Sequence, residues 1–166
     1  EKLEILKQCS LNLKAHYELK KLCESKNKIF MSTPFSIQAV DLLSKIGVNV
    51  FKIGSGETNN YHFVEYILKK NKPTLVSTGT SNWNDLKKFN EKFIDYKKQI
   101  ILLHCISNYP TKLKDANIKV IEKIKDELNF VPGFSDHSID NFSSIASIVS
   151  GAKVIERHFT ISILLP

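Results

Sequence analysis

An α/β fold with a parallel sheet, built as part of a TIM-type (β/α)8 barrel, is what this 166-residue sequence predicts, and three observations carry the prediction. Short, almost continuous apolar runs recur every twenty to thirty residues. Amphipathic stretches at helical spacing fill the gaps between them. Small polar residues and histidines follow nearly every run, which is where the strands of a barrel present functional groups. Runs that are apolar along their whole length belong to strands buried on both faces, as parallel strands under helices are.

The runs are Lys28-Ile29-Phe30-Met31-Ser32-Thr33-Pro34, Val48 to Ser55, Thr74 to Gly79, Ile100 to Cys105, Phe130 to Ser135 and Val154 to His158. Each is short and rich enough in β-branched and aromatic residues to form a strand. Ser36 to Lys45 is representative of the helical stretches between them. Together these make about six βα units in one partial domain spanning residues 1–166. A complete barrel needs eight strands and about 250 residues. The opening helix, roughly Glu1 to Ser25, therefore belongs to a unit whose strand is absent, and the first two barrel strands are expected to be missing.

Composition narrows the function classes. The net charge is +7, yet nearly all of it is lysine, with Arg157 the only arginine. The lysines are scattered over helical segments (Lys119, Lys123, Lys125), as on a solvated face, so a nucleic-acid partner is not expected. A basic field of this kind suits an anionic small substrate. No apolar run approaches the ~20 residues of a membrane helix, and no signal peptide opens the chain. Cys9, Cys23 and Cys105 form no CxxC pair and no disulfide framework, which suits a reducing, cytoplasmic setting. Cys9 and Cys23 fall on a helical pattern and are expected to be buried. Cys105 ends a strand, where packing is a plainer role than lining a site.

Two histidines stand beside carboxylates at the ends of the last two runs, in Phe134-Ser135-Asp136-His137-Ser138 and Glu156-Arg157-His158-Phe159-Thr160. If both runs are parallel strands, both imidazoles emerge at one sheet edge, and a pair of neutral imidazoles suits a divalent metal. The bland alternative is two unrelated histidines bonded to neighbours. Asp136 and Glu156 then either orient the rings as acceptors or serve as an acid or base. Lys52-Ile53-Gly54-Ser55-Gly56-Glu57 puts a lysine in a buried strand before a glycine-rich turn. Such a lysine either meets an anion or sits at a strand edge beside an ordinary turn. Ser32-Thr33 and Ser77-Thr78 either cap the next helix or bond a ligand oxygen. His104 lies within its run and reads as a satisfied core histidine; Tyr109, before Pro110, is placed to point a phenol into a pocket.

Taken in order and spacing, Ser32 to Phe35, Lys52 to Glu57 with Asn59-Asn60, Ser77-Thr78-Gly79, His104 through Pro110, Ser135-Asp136-His137 and Glu156 to Thr160 resemble the sialic acid synthase family, the N-acetylneuraminate and legionaminate synthase group. The resemblance runs from about residue 10 to residue 160. It implies a (β/α)8 barrel that condenses phosphoenolpyruvate with N-acetylmannosamine or a related amino sugar, using Mn2+ or Mg2+. It implies that His137 and His158 ligate the metal, and that Thr33, Lys52, Ser55, Ser77, Ser107 and Ser135 hold substrate. It implies as well that Glu57, Tyr109 and Glu156 take active-site places near the sugar and metal. A homodimer is implied too, in which a C-terminal antifreeze-like domain closes the partner's site; that domain is absent from this sequence.

Some features depart from the family. Ser107 stands where many bacterial members carry asparagine, and the tail from Thr160 to Pro166 differs from the usual acidic and basic pattern. The Gly-Pro-Asp segment is not reached. The polypeptide alone is therefore expected to be inactive or nearly so. A catalytically inactive fragment serving as a binding or assembly module, another phosphoenolpyruvate–aldose condensing barrel, and a metallohydrolase barrel are the competing readings.

Overall fold

The computed structural model describes residues 4, 7 and 9–162. Five parallel strands form one sheet in chain order: β1 (Phe51–Ile53), β2 (Thr74–Ser77), β3 (Ile100–Cys105), β4 (Val131–Asp136) and β5 (Val154–Arg157). Each strand pairs with the next in sequence, and the order never reverses. A doubly wound sheet reverses at its switch point; an unreversed order is that of barrel strands. Helices α1 (Leu13–Ser25) and α2 (Ile37–Ile46) precede the sheet, and α3 (Tyr61–Leu68), α4 (Trp83–Lys92), α5 (Lys119–Leu128) and α6 (Phe142–Val149) bridge successive strands.

Register divides the side chains into two faces. Phe51, Thr74 and Ile100 are level, as are Ile53, Val76 and Leu102. This set meets the helices, and the core forms there from Val40, Leu43, Phe63, Ile67, Leu86, Phe89, Ile124 and Leu128. Fully burying one such side chain contributes roughly 1.5–3 kcal/mol. Because alternate residues point oppositely, Lys52, Ser77, Cys105, Ser135 and Glu156 fall on the other face, the inside of the partial barrel. Gly133 is on that inner face too, where a Cβ would lie 2.3 Å from Leu103 Cδ2 and 2.9 Å from the Val154 carbonyl oxygen. Only glycine lets the backbones of β4 and β5 and the Leu103 side chain approach so closely.

Local chemistry fixes the helix starts. Ser36 caps α2, its Oγ accepting from Ala39 N at 3.2 Å, and Gly47 ends that helix at φ 81°. Asn82 and Asp85 form a capping box at α4.

Three expectations need correction. The first predicted strand, residues 28–34, is reduced to one parallel bridge between Ser32 and Phe51. Pro34 has no N–H to continue a ladder, and Ile29 is exposed. Six runs thus give five strands. Within the opening helix, residues 9–12 are non-helical and α1 starts only after the Asn12 cap. Cys9 consequently lies exposed in a turn and Cys23 is half-buried, so neither is the core residue expected. Glu4 and Lys7 are helical; the rest of residues 1–8 lies outside the described residues.

The last helix inverts the usual pattern. Ser143, Ser144 and Ser147 are buried, while Phe142, Ile145, Ile148 and Val149 face outward.

Candidate active site

The inner-face residues converge at the C-terminal ends of the strands on a cavity of about 490 Å³. Thr33, Lys52, Ser55, Ser77, Ser107, Tyr109, Ser135, His137, Glu156 and His158 all line it, joined by Phe35, Gly54, Gly56, Cys105 and Arg157. Ten of the eleven site residues named from sequence are thus brought together. Glu57 is the one that stands apart. It sits in a short 3-10 turn (Ser55–Glu57), where its Oε2 accepts from Asn60 Nδ2 at 3.0 Å.

Lys52 is 7% exposed. Burying an ammonium without partners is costly, and here it has three, the weakest a 3.4 Å bond to the Ile53 carbonyl. Nζ donates to Ser77 Oγ at 2.7 Å and lies 3.5 Å from Glu156 Oε2. The edge-lysine alternative is thereby excluded, because Lys52 points into the barrel rather than along a solvent-facing rim. The turn after it is anchored to β2: Thr58, fully buried, donates to the Ser77 carbonyl at 2.5 Å. Ser55 Oγ accepts from Gly79 N at 3.0 Å. A Cβ at Gly79 would lie 2.3 Å from Ser107 Oγ, so glycine keeps the three loops in contact.

Across the cavity stand three rings. Tyr109 stacks on His137 with centroids 4.0 Å apart and meets His158 edge-on at 5.4 Å. The two imidazoles are 5.4 Å apart, tilted by 49°. His137 Nδ1 lies 2.8 Å from the Ile106 carbonyl oxygen. A carbonyl only accepts, so Nδ1 donates and Nε2 is the lone-pair nitrogen of the neutral ring; Ser135 Oγ lies 3.4 Å from it. Burial pushes the Tyr109 phenol up, with Cys105 and Glu156 adding, so it remains a hydrogen-bond donor at neutral pH. Burial likewise raises the Cys105 thiol, outweighing Ser55, Ser135 and Lys52, which holds it as an uncharged wall of the cavity.

Neither carboxylate beside a histidine bonds to a ring. Glu156 pairs with Lys52, and Asp136 turns away toward α6, where Ser138 N, Ser143 Oγ and Ser144 Oγ donate to it. Burial raises the Asp136 carboxyl, but the bonds from Ser144 and Ser138 and the Arg157 charge together hold it below the ordinary value. The idea of orienting carboxylates is corrected on geometry: for His137 it is the Ile106 carbonyl that fixes the ring. His104 behaves as a core histidine, its Nε2 2.8 Å from the Ala116 carbonyl oxygen and its ring stacked on Phe134.

Among the described residues, no group of three or more His, Cys, Asp and Glu side chains is spaced to hold a metal ion. Two imidazoles alone fit a cation that keeps most of its coordination shell for water or substrate oxygens. Among the described residues no helix is long and apolar enough to cross a membrane.

The whole chain, residues 1–166, matches the pattern of the NeuB family. The chain belongs to the NeuB family. Relatives of this NeuB chain include N,N'-diacetyllegionaminic acid synthase of Campylobacter jejuni, 36% identical over 96% of this chain and 48% of the relative. Human N-acetylneuraminate-9-phosphate synthase is 32% identical over 87% of this chain and 40% of its own length. The crystal structure of N-acetylneuraminic acid (sialic acid) synthetase from Leptospira borgpetersenii in complex with citrate superposes with a TM-score of 0.89 at 32% identity, covering 94% of this chain and 55% of that one. The chain spans about half the length of the curated relatives it matches. The resemblance read from the motifs and the family match agree, and the partial-barrel fold agrees with the solved relative.

Sequence reasoning missed the surroundings of Asp136 in this NeuB chain. The signal was Ser143, Ser144 and Ser147, which recur at helical spacing. An apolar-face-inward rule hid it, because here the serine face is the buried one.

Proposed function

We propose that this chain is the central part of a catalytic barrel that condenses phosphoenolpyruvate with an N-acetylated amino sugar, giving a nonulosonic acid and phosphate. The observation that carries the reading is buried Lys52, held between Ser77 and Glu156 on one wall, facing the Tyr109–His137–His158 ring cluster on the other. One wall offers cation and hydroxyl donors for a doubly anionic substrate. The other offers two imidazoles and a phenol for the sugar.

Lys52 Nζ, with the hydroxyls of Ser55, Ser77, Thr33 and Ser135, would neutralise the carboxylate and phosphate of phosphoenolpyruvate. C3 of the enol then forms a bond to the sugar's aldehyde carbon, leaving C2 cationic. Water adds at C2 and phosphate departs with cleavage of its C–O bond. Glu156, ion-paired with Lys52 beside this centre, is placed to accept a proton from the added water. Tyr109 offers its O–H toward the sugar, and Ser107 would contact it from the neighbouring loop. His137 Nε2 and His158 would hold a divalent ion, Mn2+ in preference to Mg2+ because both protein donors are nitrogen. When bound, that ion polarises the aldehyde as a Lewis acid. Glu57 would act from outside the cavity as it stands here. A cytoplasmic, homodimeric protein suits this reading, with Cys9, Cys23 and Cys105 all unpaired.

Calorimetric titration of phosphoenolpyruvate into the purified chain tests the first requirement. Saturable binding weakened by raised ionic strength is expected, and a flat titration would sink the proposal. Phosphate release with N-acetylmannosamine and Mn2+ should be close to background for this chain alone.

A further inference from the structure

Beneath the histidine pair lies a second pair of charged residues. In the ladder between β4 and β5, Ser135 is level with Glu156 and Asp136 is level with Arg157. His137 and His158 each follow the second of these by one residue. The inward residues build the cavity, and the Asp136–Arg157 pair sits directly behind them.

Both members are fully engaged. Asp136, 2% exposed, accepts from Ser138 N at 2.9 Å, from Ser143 Oγ at 3.2 Å and from Ser144 Oγ at 2.5 Å. Arg157 Nη1 lies 3.6 Å from Asp136 Oδ2. The same guanidinium donates to the Asp140 carbonyl, the Asn141 Oδ1 and the Ser138 carbonyl, each at 2.6 Å. Arg157 touches the cavity rim, but its donors are directed into the loop after His137. That loop is therefore tied to the strand that delivers His158. His137 is also held to the loop after β3: its carbonyl accepts from Thr111 N at 2.9 Å, its Nδ1 donates to the Ile106 carbonyl, and Tyr109 stacks on its ring.

We propose that Asp136 and Arg157 are positioning residues, a clasp that sets the placement of the His137 ring relative to His158. Without it the 138–141 loop loses its tethers to β5, and the 5.4 Å ring separation is left to the contacts of His137 with the loop after β3, which do not reach His158's strand. The consequence for cation affinity rests on the reading of the two histidines given above; the clasp itself does not. This explains why α6 buries serines: Ser143 and Ser144 face inward because the carboxylate behind His137 needs hydroxyl donors in a buried site.

The test compares wild type, Arg157→Gln, Arg157→Lys, Asn141→Ala and His137→Ala. Mn2+ binding is followed by electron paramagnetic resonance, ring proximity by proton NMR without metal, and folding by thermal melts. Arg157→Gln is expected to weaken Mn2+ binding by roughly 10- to 100-fold, the range for partners that orient ligands. The Tyr109–His137 and His137–His158 cross-peaks should weaken in the metal-free sample. Arg157→Lys should restore part of both, and melts should move little. Unchanged ring cross-peaks in Arg157→Gln would overturn the clasp, whatever Mn2+ does. If wild type and His137→Ala both fail to bind Mn2+, the metal reading falls, while weakened ring cross-peaks in Arg157→Gln still uphold the clasp. Should Arg157→Gln not fold, Asn141→Ala removes a single tether and must still loosen the rings; rings as tight as wild type there would equally refute the proposal.

Discussion

Replacing Lys52 by methionine separates binding from folding at the centre of the site. Methionine keeps an unbranched stem of similar length, so packing against the inner face survives. What disappears is the ammonium, with its 2.7 Å bond to Ser77 and its 3.5 Å approach to Glu156. Two charges at 3.5 Å attract by roughly 5 kcal/mol at an effective dielectric of about 20. Most of that does not reach stability. The Glu156 side chain is 38% exposed and can be rehydrated, and burying the Lys52 ammonium opposes the attraction. The net change in folding free energy should be about 1 kcal/mol or less. Ligand binding has no such compensation. A charge-assisted hydrogen bond contributes about 1.5–3 kcal/mol, so phosphoenolpyruvate affinity should fall roughly 10- to 150-fold. Isothermal titration of wild type and Lys52→Met, alongside urea melts of each, measures both quantities. Affinity unchanged within twofold, with the variant folded, would refute the claim that Lys52 is the anion-binding cation. A collapse of stability instead would mark Lys52 as a structural charge.

Three other outcomes follow from the same geometry. Phe89 is fully buried among Tyr61, Phe93 and Phe130, so Phe89→Ala should cost about 3–5 kcal/mol and move the urea midpoint accordingly. Gly133→Ala forces a methyl against Leu103 and the Val154 carbonyl; destabilisation of about 1–3 kcal/mol is expected, read by thermal melts, and a neutral result would mean β4 and β5 can part at no cost. Burial lowers the His104 pKa below its ordinary 6.5, the Ala116 bond opposing only in part. The unfolded chain then takes up a proton that folded His104 resists, so stability present above about pH 6.5 should be lost as pH falls below it. Urea melts from pH 7.5 to 5 should show that loss in wild type and less of it in His104→Gln.

How much was legible in the sequence depended on whether the signal was local. The five strands and their parallel pairing follow from short, almost continuous apolar runs separated by helical stretches, and the polar residues at the ends of those runs mark the site. That Lys52, Ser77, Ser135 and Glu156 share the inner row comes from the register of the strands. The 28–34 run misled because its apolar content is that of a strand, while Pro34 and a single bridge to Phe51 limit pairing. Cys9 misled because an Asn12 cap breaks the opening helix. Glu57, placed near the sugar and metal by the family resemblance alone, lies in a 3-10 turn where its carboxylate accepts from Asn60. In each case a capping or pairing choice one to three residues away decided the outcome.

The carboxylates beside the histidines expose a different limit. Adjacent residues on a strand point to opposite faces, so a carboxylate next to a ligand-type histidine in sequence is the least able to touch its ring. Asp136 and Arg157 obey that rule: they face each other, Asp136 takes donors from α6, and Arg157, which only borders the cavity, directs its donors into the 138–141 loop. Glu156 obeys it from the other side: it faces inward, two residues before His158, and so finds Lys52 on β1 across the barrel. The outward Asp136 therefore takes its partners from Arg157 and from the helix that follows its strand. The helical partners are Ser143 and Ser144 of α6, where an all-apolar inner face would have left the buried Asp136 carboxylate with too few donors.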